Sequence, residues 1–532
     1  MPVTLVSALA ITACSSAPGG DSSPSPSPSN GQEEQGGNGG EEKEHLTLTW
    51  RVAAPHVDAS AIFPGANEDF VKQTIEEKFN VTLNMTSEIY SSEFDTKMTM
   101  QLSADPPDLF VAGGVQSQGY ALDGLLADMT EFVTPETMPN YFKYWVTEEE
   151  LERYGIENSF VRAPIPFARN VYRSYYIRKD WLDNLGLSVP TSYDEMLEVM
   201  RAFSQGNPDP NSRQRTYGMT AAGGGRTFSW DFPGFVENDV YTFILDKENG
   251  TFRDGQTDLA LVQVLDSIKM MMDEGLVEPE WFLNSGTEHW NKAIQGVAGI
   301  IAGGSMDFML EGNPNSILNR TKQLNPNADW VPFNPHPDKG IALTQLPGNP
   351  FLFHINVAEQ RPDHIKRTVE ILDWLASEEG YLLTHYGQEG THYTRDGNQI
   401  TLNVDEYNEI TQWLTLYSFF TPPNEIDKLG LEVIDPRFTD RDREVINTIT
   451  SYQLKEHIGT NVAPPPGTDL GGMRTRQNEL ITQILFDEPD ASNWPKYREE
   501  LMTTYGGQGI FEAYAEQIGS AHGIEVKFVD GP

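Results

Sequence analysis

The chain has 532 residues, 78 Asp and Glu against 37 Lys and Arg, and a formal net charge of −41. Such a charge repels phosphate backbones and anionic lipid and leaves no basic stripe, which argues against nucleic acid as a partner. The length allows two large lobes or three domains, 38% hydrophobic and 11% aromatic residues suffice for a core, and a single Cys rules out internal disulfides and multi-Cys zinc patterns.

No apolar run is long enough to cross a bilayer. Residues Leu5 to Ala13 form a short apolar stretch that ends Ile11-Thr12-Ala13-Cys14, followed by Ser15 and Ser16. This resembles a bacterial lipobox, in which the Cys is lipidated. No Lys or Arg precedes Lys43, so residues 1–14 are expected to be a signal peptide whose basic front is missing, with Cys14 as the lipid attachment site. Residues 15–45 are Ser, Pro, Gly, Asn, Gln and acids with almost nothing apolar, too little to offset the entropy of ordering, and are expected to form a disordered tether. A flexible chain of this length reaches on the order of 30 Å. Together the two features predict a folded body anchored outside a cell membrane, of the Gram-positive type.

From Leu46 to Val52 the pattern alternates as a strand. Val71, Ile75 and Phe79 then recur at helical spacing before a second strand at Val81 to Met85. A helical run through Met98 and Leu102 leads to a short apolar strand, Leu109-Phe110-Val111, ending at Gly113-Gly114. This β-α-β-α-β opening predicts a largely parallel α/β sheet, with ligands beyond the carboxyl ends of its strands, at Ala53 to Asp58 and Ala112 to Gln118.

A second unit starts at Tyr175 to Leu182. Ser192 and Glu195 have the spacing of a capping box, and Met196, Met200 and Phe203 form the apolar face of the helix that follows. Gly299 to Gly304 reads as a buried strand opening into a glycine turn. Ile365, Val369 and Leu372 mark a further amphipathic helix. No repeat of 20 to 50 residues appears.

Enzyme signatures are missing: there is no G-x-x-x-x-G-K-[ST], H-E-x-x-H or G-x-S-x-G, and Gly303 to Asp307 fails the last at its final position. His385 and His392 flank Gly387-Gln388-Glu389-Gly390 at a spacing that fits no zinc loop and reads as a polar turn. Asn207, Asp209 and Asn211 place oxygen-bearing side chains at alternate positions, as a calcium loop does, but Ser212 stands at the sixth place, Gly218 at the twelfth, and Arg215 adds a positive charge. The alternative is a plain turn between helix and strand. The ten Trp residues carry more information, because aromatic faces stack on sugar rings while amides and acids bond the hydroxyls. Trp230, in the glycine-led loop Gly223 to Asp231, is the best placed. Core packing is the first reading for Trp281, Trp290 and Trp374.

At these residues the chain resembles the solute-binding lipoproteins of bacterial ABC importers, family 1, in the oligosaccharide or aldouronate-type group called LipO-like. The resemblance covers about residues 46 to 520. It is carried by Tyr176 to Leu182 with Pro190-Thr191, by Glu274 to Val277, by Trp374 to Gly380 and by Tyr386 to Tyr393; Asp108 to Met129 is also similar to maltose-type binding proteins. The resemblance implies an α/β, two-lobed periplasmic-binding-protein-like fold of type II with a hinge between the lobes. Lobe 1 is expected at 46–170 and 337–395, lobe 2 at 171–336 and 396–532, with crossings near Pro166 to Arg178 and His336 to Phe353 and a return after about Tyr393. It also places the first ligand loop at Val52 to His56, the second at Ala112 to Gln116, and Val171 and Tyr172 at the cleft. Phe228 and Trp230 match an aromatic ligand loop, and Met306 takes the place of a strand-end aromatic. The group usually carries a complete calcium loop where Asn207 to Arg215 stands.

The resulting expectation is a monomeric, membrane-anchored extracytoplasmic receptor that closes on an oligosaccharide and delivers it to an ABC importer permease, without catalysis. Trp230 and Phe228 supply stacking; His56, Gln116, Tyr172, Asp307 and Arg226 supply polar contacts, beside Met306. Arg51, Arg169, Arg173 or Arg226 would receive a uronate. The rivals are a surface-anchored polysaccharide-degrading enzyme, a receptor for peptide or another solute on the same fold, and a structural surface protein.

Overall fold

Strand β1 (Leu46–Ala54) runs parallel to β2 (Val81–Ile89), from Leu46 beside Val81 to Ala54 beside Ile89. Between them lies helix α1 (Phe70–Phe79), whose buried residues are Val71, Ile75 and Phe79. Asp69 caps it by accepting from the Lys72 N–H, and Asn80 ends it in the left-handed region. Helix α2 (Ser92–Ala104) then returns the chain to β3 (Leu109–Val111), parallel to β1, and α3 (Gly114–Leu122) follows. The protein is described by a computed structural model over residues 43–54, 64–65, 67–89, 92–156, 159–210, 214–225 and 229–531. Cys14 and most of the expected tether, His56, Asn211, Arg226 and Phe228 lie outside the described residues.

The remaining strands are β4 (Ala163–Pro166), β5 (Ser174–Arg178), β6 (Tyr217–Met219), β7 (Phe243–Asp246), β8 (Thr251–Asp254), β9 (Ala298–Gly303), β10 (Trp330–Phe333), β11 (Gly348–Leu352), β12 (Tyr393–Asp396), β13 (Gln399–Leu402), β14 (Glu432–Ile434) and β15 (Lys527–Phe528). The first sheet has the order β2-β1-β3-β11-β4 and the second β10-β5-β9-β6. In the first sheet β1 pairs in parallel with β2 and β3, as expected, and in the second β6 pairs in parallel with β9. Strand β11 is antiparallel to β3 and β4, and β5 is antiparallel to β9 and β10, because these strands are entered from the other sheet rather than through a crossover helix.

Each sheet has its own core. The first buries Leu48, Trp50, Leu83, Phe351, Val369 and Trp374. The second sheet is covered on both faces, as the period of two requires: Tyr175, Ile177 and Ile300 join a cluster with Trp181, Phe203, Ile268 and Trp281, while Tyr176 and Ile301 join Met309, Trp330 and Ile449. Ser192 caps the helix Tyr193–Gln205 as expected, but the Glu195 carboxylate turns to the N–H and hydroxyl of Thr191, both at 2.8 Å.

Two segments between the sheets lie side by side, residues 167–173 leaving β4 for β5 and residues 334–347 leaving β10 for β11. The Phe167 N–H donates to Pro347 O at 2.6 Å and Gln345 N–H to Arg169 O at 2.9 Å. Ile400, Leu402, Ile410, Leu414 and Leu431 are buried in the first core, so this stretch packs with lobe 1, where the expected division put 396–532 in lobe 2. The return runs through residues 435–439, between β14 and the helix Asp440–Thr450, whose Val445 and Ile449 join the second sheet.

Candidate functional site

The strand registers bring the loop ends together. In the first sheet β1 and β3 point to the edge from which β4 leaves, since Pro166 pairs with Gly348 at the start of β11. In the second, Ser174 at the start of β5 pairs with Gly303 at the end of β9, and β6 ends at the same edge because it is parallel to β9. The two crossing segments join these edges, so the strand-end loops of both sheets face each other over the hinge. That places Ala112 to Gln116 on one side and Thr220 to Gly225, Ser229 to Asp231, Gly304 to Met306 and Tyr172-Arg173 on the other.

The glycine loop sits on a neighbouring turn. Gly223, Gly224 and Gly225 donate their N–H groups to Trp281 O, Asn284 O and Phe282 O at 2.9, 2.8 and 2.7 Å. A Cβ on Gly223 would stand 2.5 Å from Phe282 O, and Gly224 and Gly225 have φ of +63° and +68°, so glycine is required for this approach. Beyond it Trp230 is half-buried, its ring 4.5 Å from that of Phe235. The side chain remains partly accessible, as a stacking residue needs.

Asp231 organises the floor. Its carboxylate takes the Arg173 guanidinium at 2.5 Å, the Ser229 hydroxyl at 2.8 Å and the Ala222 N–H at 3.1 Å. His289, 4% exposed, places Nε2 3.9 Å from the same carboxylate. Burial pushes the His289 pKa down while Asp231 opposes the shift. Neither Asp231 nor His289 was among the expected contacts. Asp231 stands next to Trp230 in sequence, which was the available signal; His289 had none, because only the fold carries its helix to this place.

At the end of β9, Met306 is half-buried beside the third cluster together with Tyr172, Trp290 and Phe308. Trp290 and Phe308 meet edge to face at 4.6 Å, and Trp290 donates to Ala302 O at 3.3 Å. The strand end expected to lack an aromatic therefore packs on the same cluster as three of them, Phe308 from the turn of Met306 itself and Tyr172 and Trp290 from other elements. Asp307 is exposed, its N–H donating to Ser305 Oγ at 3.3 Å. Gln116 lies half-buried on the first turn of α3. Trp281 and Trp374 are buried in the cores.

The arginines offered for a uronate are engaged: Arg51 with Glu88 at 2.8 Å, Arg169 with Glu150 at 2.9 Å and Arg173 with Asp231. His385 stacks on Tyr381 at 4.0 Å, and His392 accepts the Gln388 N–H through Nδ1 at 2.9 Å, so both rings serve the turn between them. In the calcium-like segment Asn207 is exposed and Asp209 half-buried. Arg215 turns its guanidinium to the Tyr217 ring at 4.9 Å, and a Cβ at Gly218 would stand 2.5 Å from Met200 Cβ. The twelfth position thus has no room for a carboxylate, and among the described residues no three acidic, His or Cys side chains gather for a metal. Among the described residues this segment therefore lacks the carboxylate that closes a calcium loop at its twelfth position.

Residues 55–381 match the family described as bacterial extracellular solute-binding protein. The polygalacturonan/rhamnogalacturonan-binding protein YtcQ of Bacillus subtilis (strain 168) is 24% identical over 355 residues, covering 65% of this chain and 67% of that protein. Lipoprotein LipO of the same organism is 25% identical over 270 residues, 48% of this chain and 52% of its own length. Among solved structures, an HMO binding, ABC-transporter associated solute-binding protein from Bifidobacterium longum infantis ATCC 15697 superimposes with a TM-score of 0.65 at 15% identity, over 90% of this chain and 99% of that one. The matched regions thus span from two thirds to about half of these curated relatives, whereas the fold is shared over nearly the whole body.

Proposed function

The chain belongs to the bacterial extracellular solute-binding protein family, with its two-lobed, hinged type II fold, and from that premise we propose that it captures an oligosaccharide between its lobes and delivers it to the permease of an ABC importer. The observation that carries this reading is the half-buried Trp230 on a glycine loop at the facing strand ends, beside the Arg173–Asp231 pair. An aromatic face with fixed polar groups around it suits a sugar ring. The name of one relative, a polygalacturonan/rhamnogalacturonan-binding protein, supports a carbohydrate ligand. Ligand that touches both lobes only when they close shifts the open–closed equilibrium by its differential affinity, and the permease reads the closed form.

The lobes divide, in this reading, at the three crossings: 46–166 with 348–434, and 174–333 with 440–531. Cys14 carries the lipid anchor, residues 15–45 space the body from an extracytoplasmic membrane surface, and the receptor acts as a monomer with no resident ion. Gln116, Tyr172, Asp307 and Met306 line the cleft with Trp230, and His56, Arg226 and Phe228 are further ligand contacts in this reading.

Fluorescence titration of the purified chain with neutral and acidic oligosaccharides tests the proposal, with chromatography of the recovered ligand. Binding with the sugar returned intact is expected, weakened at least tenfold in Trp230→Ala. Unchanged affinity in that variant overturns the assigned site, and shortened products would transfer the protein to the enzymes.

A further inference from the structure

The helix Leu470–Asp487 carries an aromatic ring where its pattern calls for a polar residue. Met473, Leu480, Ile481, Ile484 and Leu485 are buried in the core of the second sheet. Positions 475, 478, 479, 482, 483 and 486 recur at helical spacing and share the opposite face. On that face Thr475, Asn478, Glu479, Thr482 and Gln483 line a cavity of about 780 Å³, together with Asp487 and Gly225. The size falls in the range of about 300–1,000 Å³ typical of small-ligand sites. Phe486 continues the same stripe and is 46% exposed. Because side chains on a helix lean toward its N-terminus, this residue covers the turn that carries Thr482 and Gln483.

Phe486 meets Phe282 edge to face at 5.0 Å, and the Phe282 carbonyl is the one that accepts the Gly225 N–H. The cavity therefore abuts the glycine loop that presents Trp230. Its polar groups are mostly acceptors. Thr475 and Thr482 donate their hydroxyl protons to Gly471 O at 3.0 Å and Asn478 O at 2.7 Å. Gln483 Nε2 donates to Glu488 Oε1 at 2.7 Å and to the Tyr497 hydroxyl at 2.8 Å, which leaves Gln483 Oε1 to accept. Glu479 holds Arg476 through Oε2 at 2.9 Å, and Asp487 is exposed. Asn478 is half-buried, and among the described residues its side-chain amide makes no hydrogen bond. A lining with two carboxylates and no cation disfavours an anion and suits a ligand rich in hydroxyl donors. A purely apolar partner would cover the Phe486 ring and leave the acceptors beside it unpaired, whereas a sugar offers an apolar ring face and hydroxyls together.

We propose that this groove on the flank of the second lobe is an outer subsite for a neutral sugar unit of a longer oligosaccharide, with Phe486 stacking on the ring and Asn478, Glu479 and Gln483 bonding its hydroxyls. The proposal rests on the oligosaccharide reading above and extends the contact beyond the cleft. Units held near Trp230 anchor the chain, and a unit that projects past Gly225 reaches the groove. The second contact is then intramolecular, so even weak stacking raises affinity for long ligands over short ones. Glu479 and Asp487 turn a uronate away from this position, whatever the cleft accepts.

The test is calorimetric titration of the whole chain with galactan, mannan and glucan oligomers from the disaccharide to the octasaccharide, and with the uronate counterparts of the longest ones. In at least one neutral series, affinity is expected to rise fivefold or more from the shorter to the longer members. Phe486→Ala and Asn478→Ala each remove that rise while the short oligomers bind as in the parent, Phe486→Trp keeps it, and Trp230→Ala weakens every length. Should Phe486→Ala fail to fold, Asn478→Ala alone must remove the rise. Affinity independent of length, a rise unaltered in these variants, an equal rise with the uronates, or a dimer of the parent in sedimentation that Phe486→Ala dissolves, each overturns the subsite and leaves the oligosaccharide reading standing. Binding of no oligosaccharide of any length overturns that reading as well.

Discussion

Asn461 fills the space beside Gly114 where any other residue would carry its Cβ, which would stand 2.4 Å from both Asn461 Cγ and Oδ1. The contact joins the first turn of α3 to the loop before the C-terminal helices, and Thr460 extends it by donating its hydroxyl to Arg153 O at 2.8 Å. Gly114→Ala therefore has to displace Asn461, at an expected cost of about 1–3 kcal/mol, and Asn461→Gly in the same chain should recover most of it. A double-mutant cycle by urea denaturation measures this; simple additivity of the two changes would show that the contact is not formed in solution.

Asp231 supports the loop that presents Trp230, and its removal should be felt in stability and binding together. Asp231→Ala strands the Ala222 N–H and the Arg173 guanidinium. With Arg173 and Asp231 side chains 28% and 14% exposed, water repairs part of the loss, so about 1–3 kcal/mol is expected. Asp231→Asn keeps one acceptor oxygen and should lose less. Chemical denaturation and a sugar titration on both variants give the ordering, and an Ala variant that binds as tightly as the parent would separate Asp231 from the ligand loop.

Much of the first lobe was legible because its signals are local. Val71, Ile75 and Phe79 recur on one helix face, and the short run Leu109-Phe110-Val111 before Gly113-Gly114 has the length and punctuation of a buried strand. Residues 400–431 were assigned to the wrong core, since amphipathic patterns such as Ile410 and Leu414 say that a face is buried and not against which sheet. The candidate site divides in the same way. Trp230 stands out by its glycine loop, whereas His289, Phe308 and Phe486 meet their partners only through the registers Ser174–Gly303 and Pro166–Gly348 and the folding of the C-terminal segment. Asp231 was adjacent to the chosen tryptophan, but one acid among 78 has no sequence signature.

His385 predicts a pH dependence. Burial holds its pKa down at about 4, against backbone carbonyls that pull the other way, and Nδ1 lies 3.0 Å from Tyr381 O. The ring is neutral in the fold, whereas in the unfolded chain it protonates at the ordinary value of 6.5. Between those values the unfolded state binds more protons, so stability is intact above about 6.5 and is lost as pH falls toward 4. Melting temperatures from pH 7.5 to 4.5 should fall less steeply in His385→Gln than in the parent, once the variant's constant packing loss is subtracted. Parallel curves would mean that the histidine titrates alike in both states.

Arg169 fixes how the two crossing segments run together. Its Nε pairs with Glu150 at 2.9 Å and its Nη1 donates to Phe167 O and Pro347 O, both at 2.6 Å, so one side chain ties residues 167–173 to residues 334–347. Because Phe167 N–H already donates to Pro347 O, Arg169→Ala should leave the crossings adjacent while freeing the angle between them. The expected result is a modest stability loss of about 1–3 kcal/mol with a wider spread of lobe orientations. Small-angle scattering should then give a larger radius of gyration without ligand and the parent value at saturation, and affinity should drop because more of the binding energy is used to restore the closed form. Unchanged scattering in both states would show that the lobes are held by the remaining segment contacts and that Arg169 serves stability alone.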